Sequence, residues 1–135
     1  MGGGGNGEFQ VYLNNRSLSY VSNGNLYLRP RFTSQYFGSD VTQPGFDINL
    51  WGSCTSNAFY GCQKQTVVDG ATGRKYIVNP ITSARVNTMD SFAFRFGRVE
   101  VRAKLPKGNW IWPAIWLMPK ADSYGGWPSS GEMYV

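Results

Sequence analysis

The stretch GRVEVRAKL, residues 97–105, decides the fold class of this chain. Val99, Val101, Ala103 and Leu105 alternate with Arg98, Glu100, Arg102 and Lys104. Successive side chains on a strand point to opposite faces, so a period of two gives one apolar face for a core and one charged face for water. The preceding run FAFRF, residues 92–96, carries its phenylalanines on the opposite parity. The chain must therefore change face near Gly97, by a bulge or a bend. Pro106, Lys107, Gly108 and Asn109 then supply a turn that ends the strand.

The same pattern recurs outward from this stretch. Apolar residues repeat at i and i+2, and Gly, Pro, Asn or Ser interrupts them every eight to twelve positions, the spacing of an all-β sandwich. Expected strands are FQVYL (9–13), LYLRPR (26–31), YIVNPI (76–81), SARVNTM (83–89), the two runs already quoted, WIWPAIWLM (110–118) and GEMYV (131–135). SNGN at 22–25 reads as a hairpin turn, because Asn23-Gly24 supplies the positive φ angles that two-residue turns demand.

The chain of 135 residues has length for one domain and one core. Aromatic residues make up 16%, beside 17 glycines and 7 prolines, a mixture that favours β-structure rich in turns or a surface that uses rings. The net charge of +5 is the balance of 13 Lys and Arg against 8 Asp and Glu, and the cations are scattered singly, so no nucleic-acid partner is expected. No apolar run reaches the length of a transmembrane helix or a signal-peptide core, and the opening MGGGGNGEFQ is not a targeting segment.

Cys54 and Cys62 lie eight positions apart in a polar, aromatic loop, and the chain has no histidine. Zinc and other metals are therefore not expected. Two readings stay open for the pair: free thiols, or a disulfide worth about 2.6 kcal/mol in the chain-entropy model for so small a loop. On a strand Trp110, Trp112 and Trp116 share one face. They read either as core or as a platform on which the apolar C–H faces of sugar rings stack, and Pro113 argues against a regular central strand. Glu132 at the start of GEMYV reads by itself as a solvated edge residue, or as one of the two carboxyl groups that glycoside hydrolysis requires.

The combination ITSARVNTMDSFAFRFGRVEVRAKLPKGNWIWPAIWLMP followed by GGWPSSGE resembles glycoside hydrolase family 16, in particular its laminarinase-like endo-β-1,3-glucanases and β-1,3-glucan-binding proteins. The segment GGGGNGEFQVYLNNRSLSYVSNGNLYLRP resembles the early part of that domain. The resemblance implies a β-jelly-roll, concanavalin A-like sandwich with a concave sugar-binding cleft, incomplete in residues 1–135. It implies an extracellular protein, monomeric when intact, that takes β-1,3-glucan without cofactor or membrane. Glu132 matches the family's nucleophile, whereas Tyr134 stands where the family motif has Asp, and the acid/base Glu would lie beyond Val135. This implies that the chain as it stands does not hydrolyse glucan, although the intact form is a glycosidase or a non-catalytic glucan-recognition protein of innate immunity. The match also implies cleft roles for Arg85, Trp112, Trp116 and Trp127, and for Asn57. The extracellular habit of the family favours a disulfide between Cys54 and Cys62.

Overall fold

The computed structural model describes residues 7–134. The strands are β1 (Gln10–Tyr12), β2 (Ser19–Ser22), β3 (Asn25–Leu28) and β4 (Arg31–Phe32), followed by the helix α1 (Thr33–Phe37). Then come β5 (Asp47–Asn49), β6 (Gln63–Gln65), β7 (Val67–Val68), β8 (Lys75–Tyr76), β9 (Ile81–Ser83), β10 (Trp116–Leu117) and β11 (Met133–Tyr134). The fold is all-β, with α1 and a 3-10 turn at Ala58–Tyr60 as its helical elements among the described residues. Its sheets hold three strands at most and do not close into a sandwich. The chain divides into two compact units, one ending at Val86 and one beginning at Asn87.

In the first unit β9 is the centre of a three-stranded sheet, parallel to β1 and antiparallel to β4. β2 and β3 form a hairpin whose turn residues Asn23 and Gly24 have φ of 49° and 73°, as the Asn-Gly pair predicts. Opposite each other on that hairpin, Tyr20 and Tyr27 stack with centroids 4.8 Å apart. β5 pairs with β6 and β7 with β8, both antiparallel. The core gathers Val11, Leu13, Leu18, Val41, Ile48 and Val78.

Strands this short form few ladder hydrogen bonds, and buried polar side chains supply the rest. Thr66 Oγ1 donates to Val41 O at 2.6 Å and accepts from Val78 N–H at 3.1 Å. Asn79 Nδ2 donates to Glu8 O and Gln10 O, tying β1 to the approach of β9. Thr33 Oγ1 donates to Asn79 O at 2.7 Å, which fixes the start of α1 on the same segment. Cys54 and Cys62 are joined in a disulfide with a Cα–Cα distance of 5.5 Å, resolving the alternative left open by the sequence.

The second unit departs from the expected strand pattern. Residues 83–89, 92–96 and 97–105 form no strands beyond the end of β9, and of 110–118 only Trp116–Leu117 is paired. The physical reason is the absence of a partner: among the described residues no strand lies hydrogen-bonded beside 97–105, and alternation buries nothing without one. Val99, Val101 and Leu105 accordingly stay about half exposed. Arg98 and Glu100, on the charged side of the pattern, form an exposed ion pair. The expected change of face has no strands on either side of it here; a bend lies at Arg95–Phe96, and the Phe94 ring lies over Gly97 so closely that a Cβ there would meet it at 3.3 Å.

Two consequences are measurable. Thr66→Val keeps the side-chain shape but leaves Val41 O and Val78 N–H without a partner, so it should lower unfolding free energy by about 2 kcal/mol or more in denaturant titration. At the turn beside Val41, the Gln43 amide, then the Thr42 hydroxyl and N–H, hold the Asp40 carboxyl down from the ordinary 3.8 to about 2. A depressed folded value means these bonds favour the charged form, so their contribution is whole above pH 3.8 and is lost as pH falls towards 2. An NMR titration should place the Asp40 midpoint there, and Asp40→Asn should remove that step.

Candidate functional site

The second unit carries the aromatic residues to which the sequence pointed. β10 and β11 pair antiparallel with Trp116 opposite Tyr134 and Leu117 opposite Met133. The Trp116 ring lies 6.2 Å from that of Tyr134 and 6.4 Å from that of Trp112, centroid to centroid, at tilts of 38° and 47°. Three rings thus stand in a row: Trp112, Trp116, Tyr134. All three are open to solvent, with Trp112 75% and Trp116 43% exposed. Trp110 is not part of the row. Its backbone turns at φ 66°, which breaks the strand that would have set it on the same face.

Glu132 stands two residues before Tyr134, and one of its oxygens, Oε2, accepts the indole N–H of Trp127 at 2.6 Å. The loop that makes this contact is folded by local bonds. Ser129 N–H donates to Gly126 O and Gly131 N–H to Pro128 O, so two consecutive turns carry the chain from Trp127 to Glu132. Ser130 Oγ accepts from Tyr124 N–H at 3.1 Å and donates to Gly125 O at 2.6 Å, closing the loop at its neck. Gly131, at φ 83°, adopts the left-handed backbone that points the next residue back to Trp127. A negatively charged acceptor bound by an indole N–H is a charge-assisted hydrogen bond, stronger than a neutral one.

The remaining candidates lie in the first unit. Arg85 is exposed, with its guanidinium 5.4 Å from the centroid of the Tyr12 ring. Asn57 uses its side-chain Oδ1 to accept from Cys62 N–H at 3.3 Å, and its backbone oxygen accepts from Tyr60 N–H. It therefore helps to shape the disulfide loop, where Phe59 and Tyr60 take positive φ angles. The sequence marks Tyr134 as a departure from a motif. Its place in the ring row follows from the β10–β11 register, which two-residue strands do not announce.

No family model and no solved structure matches the chain. Curated relatives do. The chain is 49% identical over 141 aligned residues to the β-1,3-glucan-binding protein of Penaeus monodon, an alignment that covers 100% of the chain and 37% of that protein. It is 36% identical to β-1,3-glucan-binding protein 1 of Manduca sexta, over 87% of the chain and 23% of the relative. It is 32% identical to glucan endo-1,3-β-glucosidase A1 of Niallia circulans, over 98% of the chain and 14% of the relative. The chain thus spans little more than a third of the length of these proteins, or less. No helix among the described residues is long and apolar enough to cross a membrane. With such identity running along its whole length, the chain belongs to the family that unites the β-1,3-glucan-binding proteins with the laminarinase-like endo-β-1,3-glucanases, glycoside hydrolase family 16.

Proposed function

We propose that the intact protein recognises β-1,3-glucan and that the second unit contributes the surface on which the glucan lies. The carrying observation is the exposed row of Trp112, Trp116 and Tyr134 rings, together with Glu132, which holds the Trp127 indole two residues before Tyr134. A pyranose ring has a flat C–H face that stacks on an aromatic ring, and its hydroxyls need polar partners at the edge. The exposed rings offer the first, and the Glu132 carboxylate is a polar group of the kind the second requires. In the first unit, Arg85 is a candidate sugar contact through its solvent-facing guanidinium. Any such role of Asn57 falls to its amide nitrogen, since its oxygen is engaged. The Cys54–Cys62 disulfide supports an extracellular setting, where such bonds persist.

Hydrolysis is a second reading, favoured by the place of Glu132 and by the glucan endo-1,3-β-glucosidase among the relatives. Here Glu132 is the nucleophile of a retaining glycosidase, and the Trp127 N–H steadies its charge and orientation. That mechanism requires a second carboxyl group about 5–5.5 Å away as acid/base. Tyr134 stands where the family motif has Asp, and a tyrosine there supplies no carboxyl group beside Glu132, which favours recognition.

The 135-residue chain should bind laminarin in affinity electrophoresis and release no reducing sugar from it. Trp112→Ala, Trp116→Ala and Trp127→Ala should each weaken binding roughly two- to tenfold. Unchanged affinity in all three would overturn the ring surface, and measurable turnover would show that the catalytic pair lies elsewhere. The Trp127–Glu132 contact has its own signature. In Glu132→Ala the Trp127 indole proton should move upfield and exchange faster with solvent, while that of Trp110 stays unchanged.

A further inference from the structure

Between β1 and β2 the chain reads Leu13-Asn14-Asn15-Arg16-Ser17-Leu18. Asn15-Arg16-Ser17 has the form Asn-x-Ser with a residue other than proline in the middle, the acceptor pattern for an N-linked glycan. No other asparagine of the chain has Ser or Thr two positions on: Asn23 is followed there by Asn25, Asn57 by Phe59 and Asn87 by Met89. A three-residue pattern also arises by chance, so its place in the fold has to decide.

That place suits a bulky polar substituent. Leu13 and Leu18 are buried in the core, whereas Asn14, Asn15 and Arg16 between them are exposed. Leu18 N–H and Ser19 N–H both donate to Asn15 O, which closes the turn and starts β2. Asn15 Oδ1 accepts from Ser17 N–H at 2.8 Å, an Asx-turn. The side chain is thus oriented through its oxygen, and its amide nitrogen Nδ2 makes no hydrogen bond among the described residues. A glycan is carried on Nδ2, and the substituted amide keeps its carbonyl oxygen as an acceptor. The bond from Ser17 can therefore stand unchanged beneath an attached sugar chain. The Ser17 hydroxyl, which the transferring enzyme requires two residues after the asparagine, is likewise unengaged among the described residues.

We propose that Asn15 carries an N-linked glycan. The inference rests on the extracellular setting, which the Cys54–Cys62 disulfide supports, since disulfide formation and glycan transfer share one compartment. The donor is an oligosaccharide joined through its anomeric carbon to a lipid diphosphate. Asn15 Nδ2 bonds to that carbon and gives up one proton to a base of the transferase. The bond from the same carbon to the phosphate oxygen breaks, and its electron pair leaves with the lipid diphosphate. On the folded chain the glycan stands on the turn that leads into β2 and adds a solvated cover to the first unit.

The test is translation of the full chain behind a cleavable secretory signal in the presence of endoplasmic-reticulum microsomes, read by gel mobility and intact mass. A single gain in mass is expected, and peptide N-glycosidase should reverse it and leave an aspartate in place of the asparagine in the released peptide. Asn15→Asp should lose the glycan, although its carboxylate can still accept the Ser17 N–H and keep the turn. Ser17→Ala should lose it too, and Ser17→Thr should retain it. Transfer acts on the chain as it enters the microsome, so the result does not depend on how well a variant folds. A wild-type chain with Cys54 and Cys62 oxidised but no glycan would overturn the proposal and leave the extracellular setting standing. Reduced cysteines together with no glycan would overturn both. A glycan that survives in Asn15→Asp or in Ser17→Ala would equally overturn the proposal, by placing the attachment elsewhere.

Discussion

A buried threonine hydroxyl holds the first unit together. Thr66 Oγ1 takes one hydrogen bond from the Val78 amide and gives one to the Val41 carbonyl, so it joins three chain segments at points where none of them is in a strand, among strands only two to four residues long. Ladders of that length satisfy few backbone groups, and every unmet buried group is costly. Thr33, Asn79 and Thr82 repeat the solution on the β9 side, each bonding a distant backbone carbonyl. The apolar core of Val11, Leu18, Ile48 and Val78 gathers within this polar frame.

That frame explains what the sequence could and could not reveal. The β2–β3 hairpin was legible because Asn23-Gly24 encodes its turn locally. The cysteine pairing was legible as one of two alternatives, because the spacing permits a loop but does not demand one. Helix α1 was not legible: TSQYF has no apolar period, and its N-cap residue Phe32 makes no capping bond, so the helix is held by the Thr33 contacts to Asn79 and Pro80. The alternating run at 97–105 misled in the opposite way, since periodicity reports which face would be buried and says nothing of whether a partner strand is present.

The same distinction applies to the sites. Trp127 and Glu132 are five residues apart in a loop closed by its own turns, so their meeting is a local event that a sequence can carry. The row of Trp112, Trp116 and Tyr134 is half local: the first two rings are four residues apart, but the third arrives through the β10–β11 register. What a sequence shows falls off with the separation over which a site is built.

The asymmetry between the two units bears on how the chain comes into being. Every fully buried side chain among the described residues belongs to the part before Asn87, together with the disulfide and the threonine and asparagine bonds. Chains emerge from the ribosome amino end first, and portions with their own core fold as they appear. The earlier unit can therefore consolidate while the tryptophan-rich remainder is still being made. The later part is made after it, with rings and alternating valines accessible to whatever polypeptide surface or carbohydrate they meet.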